Sequence, residues 1–376
     1  MSYLTGTVET VVPFLIVLTV LVFVHELGHY LVARWCGVRV ETFSVGFGPE
    51  LIGRFDRNGT RWKLSAIPFG GYVKMYGDAD AASMPGEQLA TMTPEERAVS
   101  FHWKPLPARA AIIAAGPAAN FLFTIVVLAG LFSTVGQSVT PSEIGEVRPG
   151  SAAEAVGLQK GDMIFRVNGT SIDRFQDLVR QIQLNTGTPV ELGIRRAGQE
   201  LDIQVTPKIT ELTDLFGNKT KVPLLGVSPA ADSISFERRD PFTAVVEAGR
   251  ETWGIASDTL TGLMQMITGA RPADGLHGPL GIADLSRKVA QSGVVSLLSF
   301  MALLSVNLGL VNLFPIPVLD GGHLLFYAAE ALRGRPLGQR AQEVGFRLGL
   351  ALVLTLMVFA TWNDLVQFHV WPFSKV

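Results

Sequence analysis

The chain has 376 residues, of which 48% are hydrophobic and only 17% are charged, and its mean hydropathy is +0.33. Soluble domains carry about 25% charged residues, so this balance favours a membrane protein. The net charge of −2 is too small to indicate a nucleic-acid partner, and a single cysteine, Cys36, excludes an internal disulfide.

The first predicted element is an apolar segment at residues 11–35, long enough to cross a bilayer as a helix. It contains the sequence HELGH at residues 25–29. On a helix, His25 and His29 project from nearly the same face, the spacing of two imidazole ligands on one zinc, with Glu26 beside them as general base. Because an ionisable group inside a span costs about 3 kcal/mol, we interpret the triad as a metal site.

Residues 38–76 alternate like β-strands, with glycines at bends and an Asn-Gly turn at residues 58–59. One interpretation is an ordinary soluble hairpin. The other is an apolar sheet that dips into the membrane and whose free edge could hold an extended peptide. The pattern alone does not separate the two.

A second span is predicted at residues 109–135, followed by a small β-rich domain with two helices at 138–210. In that domain Pro-Gly, Gly-Asp and Asn-Gly turns separate alternating strands. One of its helices places four apolar side chains on one face: Phe175, Leu178, Val179 and Ile182. Residues 211–293 are predicted to be a connector. Within it, residues 241–268 show a helical apolar stripe that fits either packing on protein or lying along the membrane.

The third span is predicted at residues 294–314 and the fourth at 346–362. Two asparagines, Asn307 and Asn312, lie in the third span, where their amides could hold a substrate backbone or bond between helices.

Just beyond the third span, Pro315 and Pro317 cannot continue a helix. Non-helical backbone at membrane depth is tolerated only where it is buried or lines a cavity. Since a catalytic zinc usually takes three protein ligands, we predict Asp320, next to this break, as the third ligand. His323 is the rival candidate for the third ligand. Its alternative role is structural, as a histidine that supports the ligands without binding the metal.

Orientation follows from Lys and Arg in the short loops. These residues are frequent in 36–108 and in the loop after the third span, whereas the segment before the first span has none. We therefore expect both termini and residues 136–293 on the outer side, and the metal site near the cytoplasmic face.

Three motifs together resemble the site-2 protease family of intramembrane zinc metalloproteases, closest to the bacterial regulator-of-sigma-E proteases. They are HELGH at 25–29, GPAAN at 116–120 and NLFPIPVLDGG at 312–322. The resemblance covers nearly the whole chain, including GLHGPLGIA at 275–283.

The resemblance implies an enzyme that cuts a peptide bond inside or near the membrane with Zn²⁺ as cofactor. His25, His29 and Asp320 would be the zinc ligands and Glu26 the base. The implied substrates are single-span membrane proteins such as anti-sigma factors, and some remnant signal peptides, after a first cut by a site-1 protease. The implied location is a bacterial inner membrane, in contact with membrane lipid.

For substrate binding, the resemblance points to Asn312, to the segment with Pro315 and Pro317, and to the β region at residues 43–76. Residues 138–210 resemble a PDZ domain, which takes an extended peptide onto a sheet edge, or in this family acts as a size filter. One PDZ domain is expected here, whereas some close members carry two.

The fold class expected is therefore a polytopic α-helical membrane protein with four transmembrane helices, a cytoplasmic-side membrane-associated β region and one outer PDZ domain. Its segments in chain order are the first span (1–36), the β-containing loop (37–108), the second span (109–135), the PDZ domain (138–210), the connector (211–293), the third span (294–325), a cytoplasmic loop (326–345), and the fourth span with the tail (346–376).

Two alternatives from other classes are a non-catalytic membrane adaptor that displays a PDZ domain and a metal transporter. An adaptor would need no Glu26 between the histidines. A transporter predicts polar residues repeated along several spans, whereas here they cluster at one depth.

Overall fold

The computed structural model describes residues 2–78, 89, 91–185, 187–213, 219–230, 235–269 and 277–368. The chain separates into two compact units. The first consists chiefly of Met1–Val127 with His277–Val366, and the second chiefly of Leu128–Leu276.

The helices are α1 (Ser2–Trp35), α2 (Pro94–Val99), α3 (Leu106–Thr134), α4 (Ala152–Ala155), α5 (Phe175–Leu184), α6 (Pro241–Ile267), α7 (Pro279–Gln291), α8 (Val294–Asn312), α9 (Asp320–Arg333) and α10 (Gln339–Gln367), with a short 3-10 turn at Phe101–Trp103. The strands are β1 (Val40–Phe55), β2 (Arg61–Met75), β3 (Gln137–Val139), β4 (Ile144–Val147), β5 (Met163–Val167), β6 (Thr170–Ser171), β7 (Val190–Arg196), β8 (Gln199–Val205), β9 (Lys208–Thr213), β10 (Lys219–Leu224), β11 (Val227–Pro229) and β12 (Ser235–Glu237).

Four helices in the described part of the chain are long and apolar enough to cross a membrane. They are Val8–Trp35, Leu106–Thr134, Val294–Asn312 and Arg340–Val366. Four such helices were predicted at these places, and the fourth is longer at both ends than predicted. Of the predicted segment 346–376, the part after residue 368 lies outside the described residues.

The third span predicted at 294–314 agrees with α8 to within two residues, but the wider segment assigned to it, 294–325, contains the predicted break and the start of another helix. Helix α8 ends at Asn312, and a new helix, α9, begins at Asp320 and runs to Arg333. It therefore occupies the first part of the predicted loop at 326–345. The cause is local, because a proline lacks the N–H that a helix needs and its ring fixes φ, and two prolines lie in the seven residues between the helices.

Strands β1 and β2 form the predicted hairpin next to α1. Residues 40–45 of β1 pair with 71–75 of β2 on one side, and residues 42–45 pair with 61–64 on the other. The chain bends at Gly46, whose φ is 88°, a value that favours glycine. Residues 71–75, here called the edge segment, pair with β1 on one side and, among the described residues, with no strand on the other.

The second unit contains the predicted β-rich domain. An antiparallel sheet in the order β6-β5-β7-β8 packs with α5 around one apolar core. On the predicted helical face, Phe175, Leu178 and Ile182 are buried, whereas Val179 is 37% exposed. Helix α6 confirms the helix predicted at 241–268, and in this structure it packs on protein, because its Glu251 and Asp258 form ion pairs with Arg180 of α5.

The predicted end of this domain at residue 210 is too early. Strand β11, inside the predicted connector, pairs with β4, and Leu225 is 4% exposed within the domain core. The backbone N–H of Ala153 also donates to the Leu225 carbonyl at 2.9 Å. The domain therefore extends to at least residue 229, because this segment buries apolar surface that the earlier strands leave uncovered.

Helix α7 packs against α1 and is joined to α10 through a buried aspartate. The carboxylate of Asp364, which is 0% exposed, accepts hydrogen bonds from the backbone N–H groups of Gly278 and Gly281, each at 2.9 Å. A β-carbon at either glycine would lie 2.8 Å from a carboxylate oxygen. The two glycines thus let the first turn of α7 approach the aspartate directly.

We expect Asp364→Ala to lower the free energy of unfolding by about 3 kcal/mol or more, because each hydrogen bond to a charged group contributes about 1.5–3 kcal/mol. Thermal unfolding of the full chain in detergent measures the change. Asp364→Asn, which keeps one acceptor oxygen, is the matched control and should lose less. Equal melting temperatures for wild type and Asp364→Ala would contradict this account.

Candidate metal centre

Three side-chain atoms from distant parts of the chain converge at one point. His25 Nε2 lies 3.3 Å from His29 Nε2, and Asp320 Oδ2 lies 3.1 Å from the first and 3.5 Å from the second. His25 is 8% exposed and His29 7%. This is the one group of three or more metal-ligating side chains found among the described residues.

The donor set fits a zinc ion. Zinc bonds of about 2.0–2.1 Å to nitrogen or oxygen place neighbouring ligands of a tetrahedron about 3.3 Å apart, which agrees with the three distances above. Asp320 Oδ2 is buried, yet among the described residues it has no aligned hydrogen bond, although it lies close to both rings. Three ligand atoms that converge this closely, one of them a buried carboxylate oxygen, are arranged to bind a common partner.

Helix α3 orients both histidine rings. His29 Nδ1 donates to the backbone carbonyl of Ile112 at 2.9 Å, and His25 Nδ1 lies 3.1 Å from the side-chain amide of Asn120. The two helices cross closely at Gly28, where a β-carbon would lie 2.7 Å from the Ala119 Cβ. The close crossing brings the α3 acceptors within reach of the rings.

Asp320 is the first residue of α9, and two glycines fix its position. A β-carbon at Gly321 would overlap the backbone carbonyls of Leu313 and Phe314, and one at Gly322 would overlap that of Ile316. The first turn of α9 therefore packs directly on the segment that follows α8. Within this segment Val318 has a φ of 114°, a strained value for a β-branched residue and one that is often found at functional sites.

A cavity of about 590 Å³ opens beside the three ligands. Glu26, which is 9% exposed, lines it together with Gly70, Gly71 and Tyr72 of β2. A β-carbon at Gly71 would lie 3.0 Å from Glu26 Cγ. The absence of a side chain at Gly71 thus lets the edge segment approach the glutamate.

The structure brings some of the predicted site residues together and leaves others apart. His25, Glu26, His29, Asp320 and Asn312 all line the cavity.

Asn307, Pro315 and Pro317 are not among the lining residues. Pro317 instead packs on α10, where a β-carbon at Gly349 would overlap its carbonyl. The rival ligand, His323, lines the cavity but is not part of the converging group.

Sequence reasoning missed the residues of α3 that serve the histidines. Asn120 contacts His25, and a β-carbon at Gly116 would lie 2.9 Å from His25 Cε1. A signal was available, because Gly116 and Asn120 are four residues apart, like the two histidines, and therefore share a face of α3.

Comparison with known proteins gives a consistent family assignment. The model of peptidase family M50 matches residues 13–356. Atu1380 of Agrobacterium fabrum, named as an inferred zinc metalloprotease, is 48% identical over 367 residues, covering 97% of each chain. Protease RseP of Yersinia pestis is 35% identical over 450 residues, covering 93% of this chain and 97% of its own.

Among solved structures, the PDZ domain of the SdrC-like protein from Listeria innocua aligns with 18% identity and covers 24% of this chain and 92% of its own. Its TM-score of 0.20 is too low to support a conclusion. The family match and the two relatives, by contrast, extend over nearly the whole chain. They confirm the resemblance drawn from the three motifs: this chain belongs to peptidase family M50, the site-2 protease family.

Proposed function

We propose that this chain is a zinc metalloprotease that cuts peptide bonds of single-span membrane proteins. One observation carries the proposal: three zinc-type ligand atoms converge on a cavity that is also lined by a buried glutamate and by a β-strand edge. The names of the relatives support the assignment.

Each residue of the centre has a separate task. His25, His29 and Asp320 would hold the zinc, which supplies a Lewis acid that polarises a peptide carbonyl and makes water more acidic. Glu26 accepts a proton from the attacking water as the new C–O bond forms. It then delivers that proton to the amine nitrogen as the C–N bond breaks, so that each product leaves with a complete terminus.

The edge segment and Asn312 would hold the substrate. A transmembrane substrate is helical, with its backbone bonded internally, so it must unwind locally before attack. Among the described residues no strand pairs with the outer side of residues 71–75, which lie beside Glu26, and such an edge suits an extended peptide. The Asn312 amide, on the same cavity, offers both a donor and an acceptor to the unwound backbone.

We place the chain in a bacterial inner membrane, with both termini and the second unit outside and the metal centre near the cytoplasmic face. The four apolar helices and the distribution of Lys and Arg support this arrangement. Large apolar side chains of the β1–β2 hairpin are also exposed: Phe47, Leu51, Ile52, Phe55 and Ile67. Such an exposed patch fits contact with lipid better than contact with water.

We propose that the second unit contains one PDZ domain. A cavity of about 180 Å³ lies between α5 and residues 223–227 and is lined by Phe175, Leu178 and Val179, which suits an extended peptide. The substrates we propose are membrane proteins of the anti-sigma-factor type whose outer part a site-1 protease has already removed. The domain would then bind the new end or exclude substrates that are still intact.

The test uses the purified full chain in detergent and two forms of one tagged single-span substrate, with and without its outer domain. We expect the truncated form to be cut, cleavage to be lost after removal of zinc by a chelator, and cleavage to return when Zn²⁺ is added. Intact substrate should be cut more slowly. Zinc content is measured on the same samples.

Cleavage at the wild-type rate by metal-free protein would contradict the proposal. A wild type that binds no zinc and cuts neither substrate would favour the alternative of a membrane adaptor.

A further inference from the structure

We propose that Asn120 is a positioning residue for the zinc ligand His25, whose Nδ1–H its amide oxygen accepts. Asn120 lies on α3 and is 0% exposed. Its amide nitrogen, Nδ2, lies 3.1 Å from His25 Nδ1 in the structure, across 95 residues of sequence. The inference rests on the proposed zinc site.

The position of the proton on His25 follows from the converging atoms. His25 Nε2 is one of the three, so it must present its lone pair there, and the neutral ring then carries its hydrogen on Nδ1. An N–H donor needs an acceptor, and of the two ends of an amide only the oxygen accepts.

The amide orientation is settled by this requirement. The oxygen and the NH₂ group of an asparagine can exchange places without a change of shape, so hydrogen bonding decides between them. The structure places the NH₂ group toward His25. With a hydrogen on Nδ1, two donors would meet there, while the buried amide oxygen has no hydrogen-bond partner among the described residues. Turning the amide places its oxygen on the Nδ1–H.

The two histidines are thus held by acceptors of different kinds on one helix. His29 Nδ1 donates to the backbone carbonyl of Ile112 at 2.9 Å, an acceptor that any residue at that position would supply. His25 depends on a side chain, so the identity of residue 120 matters. A metal-ligating histidine ordinarily gives its second N–H to such an acceptor, which fixes the ring and raises its basicity.

The backbone of Asn120 is fixed independently of the amide. Its carbonyl accepts from Ser305 Oγ at 3.0 Å and from Thr124 Oγ1 at 3.1 Å, and Thr124 Oγ1 also lies 3.0 Å from the Ala302 carbonyl of α8. A β-carbon at Gly309 would lie 3.2 Å from the Asn120 Cβ. The amide therefore projects from a rigid contact between α3 and α8, which limits how far the His25 ring can turn.

The experiment measures Zn²⁺ affinity of the full chain in detergent by competition with a chromophoric chelator, and records the visible spectrum of the Co²⁺-loaded protein. We expect Asn120→Leu, which has a similar volume and no acceptor, to bind Zn²⁺ about 10–100-fold more weakly and to shift the Co²⁺ spectrum. Asn120→Asp, which keeps an oxygen at the same place, should restore the affinity. Should Asn120→Leu fail to fold, Asn120→Ala takes its place.

The matched control is Thr134→Val. It removes a hydroxyl that bonds to a backbone carbonyl of the same helix, fourteen residues beyond Asn120 and outside the contact that holds it, so wild-type affinity and spectrum are expected.

The inference is overturned if the variant without an acceptor binds Zn²⁺ like the wild type, if Asn120→Asp is as weak as Asn120→Leu, or if Thr134→Val weakens binding equally. The last result would mean that the loss reflects a general disturbance of α3 and not the missing acceptor. These outcomes differ from failure of the proposed function, in which the wild type itself would bind no Zn²⁺.

Discussion

Replacement of Glu26 by glutamine is expected to lower the cleavage rate by about 10²–10⁴-fold, the usual contribution of a general acid–base group, while zinc stays bound. The amide has the shape of the carboxylate but cannot take up a proton at neutral pH. Glu26 lines the cavity without belonging to the converging ligand group. The substitution should therefore separate proton transfer from metal binding.

Cleavage of the truncated substrate and zinc content are measured together for wild type and Glu26→Gln. Glu9→Gln is the matched control, because it makes the same chemical change at an exposed position of the same helix and should keep full activity. Glu26→Gln protein that retains both zinc and the wild-type rate would show that another group carries the proton. Loss of zinc in that variant would mean that Glu26 also contributes to metal binding.

The convergence of the three candidate ligands was largely predictable because its signals are local. The spacing of His25 and His29 is a property of one helix, and the end of α8 follows from the two prolines. Asp320 could be chosen because it follows that break directly. The structure places all three atoms within 4.8 Å of one another.

The support of the centre was only partly predictable, because it depends on contacts between distant residues. The hydrogen bonds that orient His29 and His25 join residues 83 and 95 positions apart. Sequence spacing cannot show which face of α3 meets α1, or that the crossing is close enough for a carbonyl of α3 to reach a ring. The motif GPAAN was visible, but its geometric purpose was not.

The same reason explains the two errors in the segment boundaries. Strand β11 is short, and it is recognisable as part of the outer domain only through its pairing with β4, about eighty residues earlier. Helix α9 follows the predicted break, but the predicted segment boundary at residue 325 did not separate it from the third span. Both elements are defined by what they pack against, whereas the predicted boundaries rested on composition.

Gly116→Ala is expected to weaken Zn²⁺ binding by more than about 100-fold, beyond the 10–100-fold typical of losing an outer hydrogen-bond partner. A β-carbon at this position would overlap the His29 ring at Nε2, one of the three ligand atoms, and would lie 2.5 Å from His29 Cε1 and 2.9 Å from His25 Cε1. The rings can swing away, because they are the ends of side chains. In doing so, His29 would lose its hydrogen bond to the Ile112 carbonyl, and its Nε2 would no longer point toward the other two ligand atoms.

The free energy of unfolding of Gly116→Ala should rise or stay the same, because alanine is favoured over glycine in a helix interior by about 1 kcal/mol. Gly130→Ala is the matched control: it makes the same change in the same helix, at a place where a β-carbon meets no atom of the described residues within 4 Å, and should leave Zn²⁺ affinity unchanged. Zn²⁺ competition and thermal unfolding are measured on both variants.

A Gly116→Ala protein that is folded, but has lost Zn²⁺ and activity together, is the expected result, because the added methyl group occupies the space of the ligands. If it binds Zn²⁺ as the wild type does, the histidine rings are not held by α3 as described, and the positioning role of that helix is lost with it.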